Sequence, residues 1–248
     1  MSKLKCLTLL PFLLCAAMAG AQHGGDLQAQ IVYAYQTEDL NRLDDLVQGL
    51  REQIKTEGSN ASLRYDLAHV QYRLGLLYAQ SRAHDAQSAS AGCIDDLKVA
   101  LEQDVKSAEV LTLQAACYLE LAKHRKLEAV VLHALALDRL NTALGLAPRN
   151  PRAVYFAAMD GLDRAKPGSA EQQRAFAQLQ LAAQLFEQNS ATRDDAPGWG
   201  HAEAYLALGR ELESRRDLLN ARNWIEKALI VAPDYKAAQR QQALLLSH

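Results

Sequence analysis

The side chains best suited to chemistry in this sequence are its histidines and three pairs of adjacent acids. The histidines are His69, His84, His124, His133 and His201, with His23 and His248 nearer the two ends. The acid pairs are Asp44-Asp45, Asp95-Asp96 and Asp194-Asp195. Adjacent residues on a helix point in different directions, so such pairs are typical of solvated positions rather than of a catalytic dyad. No two histidines have the i, i+4 spacing of a metal site.

Known catalytic and phosphate-binding motifs are also absent from the sequence. It contains no Gly-rich phosphate loop and no HExxH, GxSxG or CxxC motif. We therefore predict no catalytic residue, no metal site and no cofactor, and we interpret the chain as a non-enzyme.

Two of the four cysteines, Cys93 and Cys117, lie well inside the chain. We predict helices over 91–103 and 107–122 that form an antiparallel hairpin turning near Val105. Each cysteine is 12 residues from Val105, so the two lie at the same height on neighbouring helices. In an oxidising compartment this arrangement predicts a disulfide. The alternative is that Cys93 fills a small-residue position as a buried free thiol.

Residues 1–21 have the features of a secretory signal peptide. Two lysines precede a short apolar run, Leu7 to Ala17, and small residues at 19–21 form a cleavage site. The sequence predicts cleavage after Ala21 and a periplasmic or secreted protein. We expect no later segment to be long and apolar enough to cross a membrane.

Removal of this segment would take away two lysines and leave 25 basic and 29 acidic residues. The net charge of the remaining chain is slightly negative, and its sequence contains no basic cluster. We therefore expect neither a nucleic-acid partner nor a stable membrane anchor.

The rest of the sequence is typical of helices. Apolar residues recur at i, i+3, i+4 and i+7 in almost every window after Asp26, and Gly and Pro number only 13 and 6. Short breaks fall at 58–60, 148–151 and 166–168, with a longer one at 189–200. The pattern predicts an all-α fold of about ten antiparallel helices, either a bundle or a solenoid.

A repeat near the end of the chain favours the solenoid. It consists of Tyr205-x-x-Leu208-Gly209-x-x-Leu212, then Ala221-x-x-x-Ile225, then Ala228 and Pro233. This stretch resembles the tetratricopeptide repeat (TPR), whose pattern is large-x-x-Leu-Gly-x-x-Tyr, Ala-x-x-x-Phe and Pro. The small residues let two helix backbones approach closely, and the large ones fill the space beside them.

Weaker copies of this pattern occur upstream, centred on Gly75, Ala115 and Ala158. The intervals between successive copies, ending at Gly209, are 40, 43 and 51 residues, which implies insertions of 6, 9 and 17 residues into a repeat of about 34. The resemblance implies one right-handed TPR-like α-solenoid over 27–246. Within it we assign a cap hairpin at 27–55, repeats at 61–104, 107–147, 150–188 and 199–233, and a closing helix at 234–246.

The resemblance also implies a concave groove lined by the first helix of each repeat. The groove positions are spaced i, i+3, i+7, which is one helix face. They are His69, Tyr72 and Leu76; Glu109, Thr112 and Ala116; Arg152, Tyr155 and Met159; and Glu203, Leu206 and Arg210. We expect about half of them to be accessible, because inserted segments often cover one face.

The segment PGWGHAE, which contains Trp199 and His201, has two interpretations. We favour Trp199 as a packing anchor at the groove edge of the preceding repeat. The alternative is a functional loop.

Three functions remain open at this point. The first is a non-enzymatic periplasmic scaffold that binds a peptide or helix of a partner protein in the groove. The second is a small-ligand-binding or transport-accessory role, which a closed apolar channel would favour. The third is a hydrolase, which would require His124, His133 or His201 to meet acids in a deep pocket.

Overall fold

The computed structural model describes residues 27–103, 107–190 and 198–247. The predicted signal peptide, the turn at Val105, the pair Asp194-Asp195, His23 and His248 lie outside these residues. Every regular element in the described ranges is a helix. They are α1 (27–36), α2 (Leu40–Glu57), α3 (Ala61–Tyr78), α4 (Ala83–Gln103), α5 (Ala108–His124), α6 (Ala129–Leu146), α7 (Pro151–Arg164), α8 (Ala170–Ser190), α9 (His201–Ser214), α10 (Leu218–Val231) and α11 (Lys236–Leu246).

Side-chain caps explain why several helices begin where they do. The Asn60 side chain accepts from the backbone N–H of Leu63 at the start of α3. Asn150 caps α7 in the same way, and Pro151 follows it at the first helical position. These polar residues satisfy backbone N–H groups that have no partner inside the helix. The breaks expected at 58–60 and 148–151 are therefore helix starts.

Four antiparallel pairs stack along the chain: α3 with α4, α5 with α6, α7 with α8, and α9 with α10. The last pair shows why its signature residues are small. A Cβ atom on Gly209 would lie 2.5 Å from Cδ1 of Ile225 and 3.2 Å from the Ala221 carbonyl oxygen. Tyr205, Leu208, Ala221 and Ile225 are all buried. The repeat residues are therefore architecture, as their spacing predicts.

The extra length of the first two repeats lies in helices rather than in inserted loops. We predicted insertions of 6 and 9 residues between successive copies. The helices α3 and α4 are 18 and 21 residues long, and α5 and α6 are 17 and 18. In particular α4 begins at Ala83, eight residues before the predicted start at 91. Longer helices keep every backbone group hydrogen-bonded, which an inserted loop does not guarantee.

Cys93 in α4 and Cys117 in α5 are joined by a disulfide, with their Cα atoms 6.3 Å apart. Both side chains are fully buried in the core between the two helices. The bond therefore ties the first TPR-like pair to the second behind the concave face.

One described helix differs from expectation in its composition. By length and apolarity α6 could span a membrane, with a mean hydropathy of 1.3 over Ala129–Leu146 and only 22% of that stretch buried. We expected no such segment. Its apolar run is interrupted by Asp138 and Arg139. Leu132, Ala136, Leu140 and Ala143 form its buried stripe, which packs against α5.

Candidate functional site

The concave face carries a cavity of about 750 Å³. Its walls come from α3, α5, α7 and α9, which we call the groove helices. Alternate helices of an antiparallel stack run in the same direction, so the amino ends of all four groove helices lie at one edge. The cavity lies toward the carboxyl ends of α3, α5 and α7, and on α9 it extends from Glu203 to Glu211. We call this region the open half of the groove, and the region nearer the amino ends of α3, α5 and α7 the filled half.

Trp199 occupies the filled half. Its side chain is only 2% exposed, and its Nε1–H donates to the Tyr65 hydroxyl over 2.9 Å. Its ring centroid lies 5.0 Å from that of His69 and 6.0 Å from that of Phe156. Trp199 therefore bridges α3 and α7. It is a packing anchor, but it lies inside the groove rather than at the edge of the preceding repeat.

Gly200 makes this position of Trp199 attainable. Its φ is +101°, a conformation that other residues rarely adopt. A Cβ atom there would also lie 2.7 Å from Cζ of Phe186. Glycine is thus needed for two independent reasons where the chain turns from Trp199 into α9.

An ion pair between Arg152 and Glu109 lies against Trp199 in the filled half. Nε and Nη2 of Arg152 each donate to the Glu109 carboxylate over 2.7 Å. Nη1 of Arg152 donates to the backbone oxygen of Trp199 over 3.1 Å. Burial lowers the pKa of Arg152, but the hydrogen bonds to Glu109 outweigh it and the pKa is raised. The guanidinium is therefore committed to holding Trp199 and is not offered to a partner.

His69 is buried and belongs to a chain of hydrogen bonds. Nε of Arg73 donates to His69 Nε2 over 3.0 Å, so the ring proton is on Nδ1 and donates to Gln28 Oε1 over 2.9 Å. The amide of Gln28 donates in turn to Asp66. Burial, and then Arg73 and Arg152, hold the pKa of His69 well below its usual value. The neutral imidazole anchors α1 to α3.

These contacts correct part of the predicted groove. His69, Glu109, Thr112 and Arg152 do not line the cavity, because they lie in the filled half. The other predicted positions do line it. They are Tyr72, Leu76, Ala116, Tyr155, Met159, Glu203, Leu206 and Arg210.

The boundary between the halves is an ion pair that sequence reasoning missed. Nη2 of Arg73 lies 2.7 Å from Oε1 of Glu203, and both side chains are nearly buried. The other Glu203 oxygen accepts from the backbone N–H of Gly200 over 3.1 Å. Arg73 also lies over Tyr35, 4.3 Å from its ring centroid, and 5.1 Å from that of Trp199. The pair links α3 to α9 across the floor of the cavity.

Tyr35 and Tyr235 close one side of the cavity, although they are 200 residues apart. Their ring centroids are 6.0 Å apart, and their hydroxyl oxygens are 3.5 Å apart. Beside them, Nη1 of Arg240 donates to Glu38 over 3.0 Å. The N-terminal hairpin thus contacts the closing helix as well as the first repeat. No spacing rule in the sequence predicts this contact.

The mouth of the cavity carries a His–Asp pair. His133 Nδ1 lies 2.8 Å from Asp160 Oδ1, and Arg164 donates twice to Asp160 Oδ2, over 2.6 and 3.0 Å. His124 meets Glu120 at 3.4 Å nearby. The described residues that line the cavity include no Ser, Thr or Cys, and the described ranges contain no group of three or more potential metal ligands. The pair can orient an imidazole, but no Ser, Thr or Cys among those lining residues stands beside it to be activated.

His201 lies outside the cavity. Its ring stacks on Phe186 at 5.5 Å between centroids and meets Tyr205 edge-on at 4.5 Å. Burial is the main reason why the pKa of His201 is lowered. Its surroundings indicate a packing position at the start of α9.

No protein-family model matches this chain, and no curated protein sequence matches it either. Its structure is similar to the crystal structure of a thermophilic TPR protein from Thermus thermophilus. The similarity has a TM-score of 0.63 at 19% sequence identity, and it covers 92% of this chain and 100% of the other. The fold is therefore an all-α, TPR-like solenoid.

Proposed function

We propose that this protein is a non-enzymatic binding protein that holds a segment of a partner protein in the open half of its groove. One observation carries the proposal, namely the cavity of about 750 Å³ whose walls are Tyr72, Tyr155, Met159 and Leu206. Aromatic, Met and aliphatic side chains around a few polar groups are typical of sites that bind apolar segments. The TPR-like fold supports a protein partner.

We also propose that the protein acts after export, in the periplasm or outside the cell. The signal-like residues 1–21 support this location. The disulfide between Cys93 and Cys117 supports it independently, because such bonds persist mainly in oxidising compartments.

A second candidate is the binding of a small ligand, alone or as part of a transport system. The contact between Tyr35 and Tyr235 favours it, because this contact encloses one side of the cavity. The cavity volume also lies within the range of about 300–1,000 Å³ that is usual for small-molecule sites.

In-cell photocrosslinking tests the leading proposal. A photoreactive residue at Met159 reports on the cavity, and one at the exposed Glu226 on α10 serves as the control on the outer face. We expect a protein adduct that forms from Met159 and not from Glu226. Absence of any adduct from Met159, with the protein folded and exported, would favour the small-ligand candidate. Equal adducts from both positions would contradict groove binding.

A further inference from the structure

The start of α6 exposes a group of apolar side chains to solvent. Val130 and Val131 are 83% and 62% exposed, and Leu127, on the turn before the helix, is fully exposed. Ala134, one turn further along α6, is exposed as well. Residues with this spacing lie on one side of a helix, here the side opposite the buried stripe of α6. We call the four residues the α6 tip.

The exposed apolar residues of α10 are arranged differently. Leu219 and Ile230 are 73% and 79% exposed, but about three helical turns separate them. Exposed charged residues, among them Arg222 and Glu226, lie between the two. Apolar residues scattered singly on a surface need no explanation, whereas contiguous ones mark a contact surface. Of these two outer helices, α6 therefore carries the contact surface.

The composition of α6 indicates what kind of surface it meets. Its mean hydropathy of 1.3 is high enough for a helix that crosses a membrane, yet only 22% of it is buried. Burial in a core explains such a composition in many helices, but it does not explain it here. The outer face also becomes polar after Ala134, at Asp138, Asn141 and Thr142. An apolar surface confined to the start of the helix fits shallow contact with lipid rather than a membrane span.

The size of the α6 tip argues against a second copy of the chain as its partner. Each Val or Leu side chain offers roughly 60–120 Å² of apolar area, so the four residues together expose less than about 500 Å². A stable dimer buries about 800 Å² on each partner. Contact with a lipid surface needs no matching patch, and it strengthens with the apolar area that is inserted.

The charges beside the α6 tip are compatible with lipid headgroups. Lys123 lies 2.6 Å from Glu120, and Arg125 lies 3.3 Å from Glu128. Lys126 is exposed and has no ion-pair partner within the described part of the chain. The turn thus presents one uncompensated positive charge, which an anionic membrane surface attracts. A single lysine is not a basic cluster, so apolar contact is the main contribution.

We propose that the α6 tip is a reversible docking surface for a lipid bilayer. Leu127, Val130 and Val131 insert at the depth of the headgroups, and Lys126 contacts lipid phosphates. This contact is weaker than a stable membrane anchor. Because Lys126 and His133 also line the cavity, docking places the mouth of the cavity beside the membrane. The inference goes beyond the proposed function and does not depend on what the cavity binds.

Co-sedimentation of the exported chain with vesicles of phosphatidylethanolamine and phosphatidylglycerol tests the proposal. The double variant Leu127→Ser, Val130→Ser removes two exposed apolar side chains and leaves the buried stripe of α6 unchanged. We expect this variant to bind at least about tenfold more weakly than wild type. The double variant Leu219→Ser, Ile230→Ser on α10 is the matched control, and it should bind as wild type does.

Three results would overturn the proposal. The first is a wild-type chain that does not bind these vesicles. The second is an equal loss of binding in the two double variants, because general apolar exposure would then explain the binding. The third comes from analytical ultracentrifugation without vesicles, namely a wild-type dimer that dissociates in the α6 variant, which would assign the α6 tip to a second copy. Photocrosslinking from Met159 reports separately on the cavity, so either proposal can fail without the other.

Discussion

The filled and the open half of the concave face are built from the same four helices, and they differ in what covers them. In the filled half, Trp199 lies on Tyr65 and His69, and Arg152 holds its backbone oxygen. In the open half, Tyr155 and Met159 line a cavity. One indole side chain thus turns the first half into core and leaves the second as a candidate site.

The comparison teaches that a repeat position specifies a face but not its exposure. His69 and Tyr72 are neighbours on the same face of α3, yet one is locked in a buried hydrogen-bond chain and the other lines the cavity. Trp199, which covers His69, comes from a segment more than a hundred residues later in the chain. Function in this fold therefore depends on contacts that lie outside the repeat pattern.

Loss of the Trp199 side chain should have the largest effect on the difference between the filled and the open half. Trp199→Ala removes a buried indole and its hydrogen bond to Tyr65. We therefore expect the free energy of unfolding to fall by about 3–5 kcal/mol. Urea denaturation measures the change, with Trp224→Ala on the half-buried outer Trp as the control. An equal or smaller effect at Trp199 than at Trp224 would mean that the filled half is not core.

Loss of the disulfide should lower stability without changing the open half. The double variant Cys93→Ala, Cys117→Ala removes a crosslink between residues that are 24 positions apart in the sequence. We expect the free energy of unfolding to fall by roughly 3 kcal/mol. Chemical denaturation with and without a reductant measures it. The chemical shift of a ¹³C-labelled Met159 methyl, which lines the cavity, serves as the control and should stay the same. A changed shift would show that the two regions are coupled.

Asp66 should give the filled half a pH dependence. Burial raises its pKa from 3.8 to about 6. The folded chain therefore holds a proton that the unfolded chain has lost, and stability falls as pH rises from about 4 to 6. The shift corresponds to about 2–3 kcal/mol. The lowered pKa of His69 acts in the opposite direction, so the difference between wild type and Asp66→Asn isolates the carboxyl.

Urea unfolding of wild type and Asp66→Asn at pH 4.5 and pH 7 gives the measurement. We expect the variant to gain stability relative to wild type as pH rises. A constant difference between the two proteins would show that the Asp66 pKa is not raised.

The ion pair of Glu38 with Arg240, which lies beside the contact between Tyr35 and Tyr235, should contribute least to stability. The pair is partly exposed, so Arg240→Gln should lower stability by under about 1 kcal/mol. Arg222→Gln, which removes the pair with Glu226 on the outer face, is the matched control. A loss several times larger at Arg240 would show that the two ends of the chain close the groove as one cooperative unit.

Much of the fold could be predicted from the sequence, because its rules are local. Gly209 and Ala221 follow from helix spacing and from the closeness of two backbones, and both are buried where the pattern places them. Part of the open half could also be predicted, since Tyr155 and Met159 lie on one face of α7 and Arg210 lies on the corresponding face of α9.

The remaining features of the site depend on contacts between distant segments. Trp199 has no spacing relation to Tyr65, and Tyr35 has none to Tyr235. Arg73 was missed because the sequence gives no sign that Glu203 lies 2.7 Å from it. Its position next to Tyr72 was the one available signal, and adjacent residues on a helix do not share a face.

Thiol reactivity tests the distinction between the two halves most directly. Met159→Cys places a thiol in the open half, and Thr112→Cys places one in a fully buried position of α5 in the filled half. Each variant is alkylated in the native state under non-reducing conditions, and peptide mass mapping locates the modification. We predict that the cysteine at 159 reacts at a rate approaching that of the unfolded chain, while the cysteine at 112 is protected. Comparable rates at both positions, in folded protein, would contradict the account of a groove that is half core and half site.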